Sequence, residues 1–287
     1  MNLLILILKG IVCGMAVMIP GVSAGSMIMS MGLYEDLMML ISGKKSERKS
    51  VLPRILPFAA GLLAGIFLFA FIFKFALKTY PFQTSCVFIG LIIGGIPMIW
   101  RKVNRKKITW GNITAFLAAV AVVVVMLFLS RSTTASNSLE PSVLHFLLTI
   151  VLGFLAAATM IIPGISGSAL MLILGYYHEI TDRLTQLAKG FGTLNWAAIG
   201  ENLLVFIPFL IGAAIGIVLV AKAIRKLLDK YPNSTYLCMI GLMAASPAAV
   251  IAKIDTDFAA IGLIGYLVSA LCIALGFLVS YTLSKKD

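Results

Sequence analysis

The sequence predicts an all-α polytopic membrane protein with two inverted-topology repeats, each a re-entrant helical hairpin plus three transmembrane helices. Three observations predict it. Of 287 residues, 61% are hydrophobic and 12% charged, with a mean hydropathy of +1.06, far from the roughly 25% charged residues of soluble domains. The stretch Ile19-Pro20-Gly21-Val22-Ser23-Ala24-Gly25-Ser26 returns as Ile162-Pro163-Gly164-Ile165-Ser166-Gly167-Ser168, and the same displacement matches Gly10 with Gly153, Gly32 with Gly175 and Tyr34 with Tyr177. Finally, the basic residues gather in short loops between apolar runs, as the positive-inside rule produces.

The elements follow in order. Residues 3–19 and 27–41 read as two helices of about 22 to 26 Å, each short of the ~30 Å hydrocarbon core, so residues 3–42 suit a re-entrant hairpin with Pro20 to Ser26 at its tip. A basic loop follows from 43 to 54. Spans are expected at 55–79, 82–100 and 109–130, with Tyr80-Pro81 interrupting the first return and Trp100 and Trp110 at headgroup level. The Ser/Thr/Asn-rich stretch from Ser130 to Ser142 divides a first repeat, 1–135, from a second, 136–287. The second repeat carries a hairpin at 143–188 and spans at 202–228, 234–252 and 258–283. Its similarity to the first extends beyond the hairpin, because Pro57-Phe58 with Gly61 and Gly65 corresponds to Pro208-Phe209 with Gly212 and Gly216, and Tyr80-Pro81 with Gly90 to Tyr231-Pro232 with Gly241.

Parity sets the symmetry. A hairpin that enters and leaves on one side, plus three spans, crosses an odd number of times, so the second repeat is inverted. A broken helix crossing once would give parallel halves instead. Charge favours inversion: with cytoplasmic N- and C-termini, the loops at 43–54, 101–107 and 222–230 and the C-terminal tail all face inward and hold sixteen of the 23 Lys and Arg residues. The opposite loops hold Arg131, Lys189 and Lys253. The same distribution explains the net charge of +12 without nucleic acid. Cys13, Cys86, Cys238 and Cys272 lack CxxC spacing, so no metal site, cofactor or disulfide frame is expected. The apolar run Leu3 to Leu8 has no basic residue before it and no A-x-A site after it, so it is read as part of the mature fold.

Chemistry is expected at the tips. Pro and Gly stop one helix, Ser is suited to cap the next, and glycine lets successive N–H groups point the same way. Inverted hairpins enter from opposite leaflets, so their tips meet near the midplane. Gly21, Ser23, Gly25 and Ser26 from one, with Gly164, Ser166, Gly167 and Ser168 from the other, would then cradle a phosphate, which is very costly to bring uncompensated into hydrocarbon. Small residues also serve close helix packing, and a single Pro-Gly-x-Ser would be read that way. Glu35 and Asp36, with His178 and Glu179 at the corresponding positions, read as interfacial residues or as gating or proton-coupling groups. Lys74 and Arg225 are repeat equivalents that would catch a headgroup from either leaflet or simply snorkel; Lys9 is expected to snorkel, and His145 to be interfacial.

At Pro20-Gly21-Val22-Ser23-Ala24-Gly25-Ser26 leading to Gly32-Leu33-Tyr34-Glu35, the chain resembles the PopT-like bacterial polyprenyl-phosphate translocase family, over nearly its whole length. That resemblance implies a multi-pass protein of the bacterial cytoplasmic membrane that returns undecaprenyl phosphate from the outer to the inner leaflet. Its partners would be that lipid and the bilayer, with a homodimer left open. The family pattern has a glycine pair and threonine after P-G-x-S, from which Ala24 and Ser26, and Ser168-Ala169, depart. Undecaprenyl pyrophosphate phosphatases also pair hairpins with P-G-x-S, but theirs continues into Ser-Arg-Ser-Gly beside an acidic cluster. Neither tip here contains Arg, and phosphoryl cleavage needs Arg, Lys or a metal to stabilise the transferring group, so an enzyme is not expected. A carrier or channel for a small soluble anion is the alternative, and a lipid phosphatase the third reading.

Overall fold

The computed structural model describes residues 3–17, 24–68, 79–132, 137–139, 142–252, 254, 258 and 261–285, and every regular element among them is helical. The first repeat contributes α1 (Leu3–Val17), α2 (Ala24–Ser30), α3 (Tyr34–Ser42), α4 (Lys45–Leu68), α5 (Pro81–Lys102) and α6 (Trp110–Ser132). In the second lie α7 (Val143–Ile161), α8 (Gly167–Ile173), α9 (Tyr177–Thr193), α10 (Trp196–Lys230), α11 (Pro232–Ile251) and α12 (Leu263–Lys285). Seven described helices, α4 to α7 and α10 to α12, are long and apolar enough to cross a membrane. With 19 residues and a length of about 28 Å, α7 belongs to that set; α1, with 15 residues and about 22 Å, does not.

Two local features differ from expectation. The helix expected over 27–41 is broken: Gly32 takes φ +78°, with its N–H on the Met29 carbonyl and that of Leu33 on Ile28. Gly175 repeats this with φ +78°, its N–H on Leu172 and that of Tyr176 on Met171. These paired bonds close a Schellman motif, which needs a left-handed residue and so explains the duplicated glycine. The basic stretch after Gly43 is helical from Lys45, because Glu47 accepts the Lys44 N–H and Arg48 donates to the Gly43 carbonyl, satisfying the end groups that a loop would leave to water.

Packing follows the repeat. α1 lies on α4 as α7 lies on α10, and each half's last helix crosses to the other half, α12 onto α5 and α6 onto α11. The α1–α4 contact is built on two GxxxG faces, Gly10 and Gly14 against Gly61 and Gly65, each abutting a carbonyl of the opposite helix. Gly153, Gly212 and Gly216 do the same between α7 and α10. Since a Cβ on Gly212 would collide with the Ile150 carbonyl, Gly212→Ala should lower stability by about 1–3 kcal/mol, the usual cost of overpacking. Gly192→Ala, in a helix with open space around it, should be neutral or slightly stabilising, and thermal melting in detergent compares the two.

Candidate functional site

The start of α2 lies against the end of α7. Residues 18–23 fall outside the described residues, and with them Gly21 and Ser23, but Gly25 and Ser26 open α2 where it meets the end of α7. A Cβ on Gly25 would sit 3.0 Å from the carbonyl oxygens of both Met160 and Ile161, a gap only glycine fits without displacement. The Tyr34 hydroxyl donates to the Ile161 carbonyl at 2.8 Å, giving a partner to one of the acceptors that a helix end leaves over. Tyr34 therefore ties the start of α3 to the end of α7. Its recurrence as Tyr177 was the available signal, but nothing in the pattern specified the partner.

Polar groups at the junction are few. Ser26 is wholly buried and its hydroxyl has no hydrogen-bond partner among the described residues. Ser166 does not cap α8 as expected; its Oγ is 2.9 Å from the Ser168 Oγ, so the first turn of α8 has no side-chain cap. Gly164, at φ +82°, carries the chain past Leu242 of α11, and Gly167 lies under the Thr159 hydroxyl. Beside this turn a cleft of about 20 Å³ is lined by Val123 and Ser130 of α6, Ser166, and Ala249 of α11. One water fills such a volume, so the cleft as it stands does not admit a phosphate headgroup.

The charged residues sort by end of the molecule. Glu35 receives the Lys102 ammonium at 2.7 Å and the Tyr236 hydroxyl at 2.6 Å. Burial pushes its carboxyl up, but these two bonds and the Lys102 charge together outweigh that and hold it below its usual value. Asp36 pairs with Arg54 at 3.0 Å. Both terminal nitrogens of Arg225 are taken by Glu47, at 2.6 and 3.0 Å, so headgroup capture there would require breaking this pair. Lys74 lies outside the described residues. At the far end of α10, His178 is exposed with Tyr177 at its ring edge, and Glu179 accepts from Arg183 and from the Leu139 N–H. Lys9 corrects an expectation. It does not snorkel but is wholly buried, on the same α1 face as buried Leu6, Cys13 and Ala16, and it has a partner there.

A larger cavity, about 720 Å³, opens where α7 and α10 begin, with Val143, Phe146 and Leu204 forming walls and His145, Arg183 and Glu201 the polar lining. Sequence reasoning did not find it, because Arg183 and Glu201 lie on different helices with no motif between them. Arg183 is already neutralised by Glu179, and Glu201 adds a negative charge, so the cavity has no net positive charge to attract phosphate. It reads as a mouth, not as the anion site. Among the described residues no group of three or more His, Cys, Asp or Glu could hold a metal.

Seven described helices, each long and apolar enough to cross a membrane and packed around the junction of α2 with the end of α7, define a multi-pass membrane protein. Residues 13–262 match the family described as VCA0040-like, undecaprenyl phosphate translocase-like, and the chain belongs to that family. It is 28% identical to a polyprenyl-phosphate transporter of Staphylococcus aureus (strain NCTC 8325 / PS 47) over 286 residues, covering 97% of this chain and 95% of that one. It is 26% identical to a polyprenyl-phosphate transporter of Vibrio cholerae serotype O1 (strain ATCC 39315 / El Tor Inaba N16961), covering 85% and 76%. No solved structure matches. The family name places the chain among translocases and not among lipid phosphatases.

Proposed function

We propose that this protein carries a polyprenyl phosphate, undecaprenyl phosphate in particular, between the leaflets of the bacterial cytoplasmic membrane. Its phosphate would rest between the two Pro-Gly tips while the prenyl tail stays in lipid. The single observation that carries this reading is the Ser26 hydroxyl: buried, without a hydrogen-bond partner among the described residues, and on α2, the helix that meets the end of α7. Burying a hydroxyl without a bond costs about 1–3 kcal/mol, a cost best understood if a ligand supplies the missing acceptor. Ser166 and Ser168, whose side-chain oxygens lie 2.9 Å apart, would turn toward the same phosphate once the tips part. Gly21 and Ser23 complete the reading from the segment before α2. Helices α1–α3 and α7–α9 are taken as inverted hairpins, with both termini on the basic, cytoplasmic side.

Supporting the substrate are the names of the two transporters and of the family. In liposomes, the purified protein should change the leaflet accessibility of a labelled polyprenyl phosphate without releasing inorganic phosphate. Release would identify a phosphatase. Movement of free phosphate or chloride with no effect on the lipid would identify the soluble-anion carrier.

A further inference from the structure

The two repeats are homologous but do not pack alike. α3 lies on α10, whereas the corresponding pair, α9 and α4, makes no comparable packing among the described residues. Likewise α2 packs on α5 and α7, while its counterpart α8 has no comparable contact with α11 or α1 among the described residues. The side of the asymmetry coincides with where the halves are bonded. At the basic end, Glu47 of α4 grips Arg225 of α10, Glu35 of α3 accepts from Tyr236 of α11, and the Asn112 amide of α6 donates to the Ser234 hydroxyl of α11. Asn104 and Asn233 exchange bonds there too, the Asn104 N–H reaching the Asn233 side-chain oxygen at 2.9 Å.

The opposite end is held differently. Its described hydrogen bonds, such as Arg183 to the Leu139 carbonyl, Asn137 to Gly175 and Tyr266 to Phe258, join residues of the second repeat to one another. Among the described residues, contact between the halves there includes Phe82 edge-on to Phe258 and Tyr266, with a Cys86–Ser269 side-chain hydrogen bond further along α5. The 720 Å³ cavity opens at this end too, within the second repeat, where α7 and α10 begin. Glu201 in its lining and Arg225 in the ion pair are on one helix, about 36 Å apart by its rise.

We propose that the Glu47–Arg225 and Glu35–Lys102–Tyr236 contacts are a gate, and that the structure is the state closed at the basic end and open opposite. The inference rests on the carrier reading and adds its conformational half. For a carrier, these pairs must break once per cycle, and the alternate state is the one in which the repeats exchange roles, α9 closing on α4 as α3 leaves α10. Arg225 is then a gate residue that becomes free to meet an anion only after the gate has opened.

The test has two arms, both with the four native cysteines replaced by serine. In the first, Met38→Cys, a position buried beneath the gate, is exposed to a water-soluble maleimide. Reversing one charge, Glu47→Arg, should raise labelling several-fold, and adding Arg225→Glu should restore protection. In the second, Glu47→Cys and Arg225→Cys are joined by a reducible bifunctional reagent. Leaflet exchange of polyprenyl phosphate should fall at least tenfold and return on reduction. Equal labelling before and after the single reversal, or full exchange while the halves are joined, overturns the gate. Labelling involves no lipid, so a gate that responds in a protein moving no polyprenyl phosphate would stand while the substrate reading fell.

Discussion

Ser26→Ala should leave the protein as stable as before, or more so, while lowering its affinity for polyprenyl phosphate about 10- to 100-fold. The two effects point in opposite directions for one reason. In the absence of ligand the Ser26 hydroxyl is wholly buried without a partner among the described residues, so alanine removes a desolvated polar group. With ligand bound, the same hydroxyl would donate to a charged oxygen, a bond worth about 1.5–3 kcal/mol, and each 1.4 kcal/mol is a factor of ten. Thermal melting in detergent and a lipid-concentration series in liposomes read the two quantities separately. A variant that melts lower and transports normally would make Ser26 a packing residue.

Gly164→Ala should be the most damaging single methyl group at the second tip. Its φ of +82° lies where an L side chain costs about 1–2 kcal/mol. The added Cβ would also stand 2.5 Å from the backbone carbonyl of Leu242, inviting a further ~1–3 kcal/mol of overpacking. Neither strain can be relieved by turning a side chain, because the obstruction is the α11 backbone. The turn would move away from α11, carrying Ser166 and Ser168 with it. Expected together are a melting temperature lowered by several degrees and loss of leaflet exchange with the protein still inserted. Unchanged melting and exchange would mean that this turn is not held where the geometry puts it.

Much of this architecture was legible in the sequence because helices in a membrane satisfy their own backbone and so announce themselves by length and apolarity. The Tyr-Pro pairs at 80–81 and 231–232 marked the starts of α5 and α11, whereas Gly61/Gly65 and Gly212/Gly216 were visible only as repeat matches, and the structure makes them the faces on which α1 and α7 pack. Gly32 and Gly175 were visible as repeat matches, yet their role as left-handed helix breaks was not, since a lone glycine in an apolar run serves packing equally well. The site was legible in its parts and not in its contacts. That Tyr34 would reach the Ile161 carbonyl, or Arg225 the Glu47 carboxylate, depends on how one half sits on the other, and no spacing within either half encodes that. Lys9 was misread for a related reason: periodicity gives the face on which a residue lies but does not say whether that face meets lipid or protein.

The most direct measurement is a cryo-EM map of the protein reconstituted with polyprenyl phosphate. The account predicts phosphate density between the start of α2 and the Gly164–Ser168 turn, within hydrogen-bond distance of Ser26, with the Ser166–Ser168 bond opened to meet it. Phosphate density lodged instead against Arg183 and His145 in the cavity between α7 and α10, with the tips still closed on each other, would contradict it.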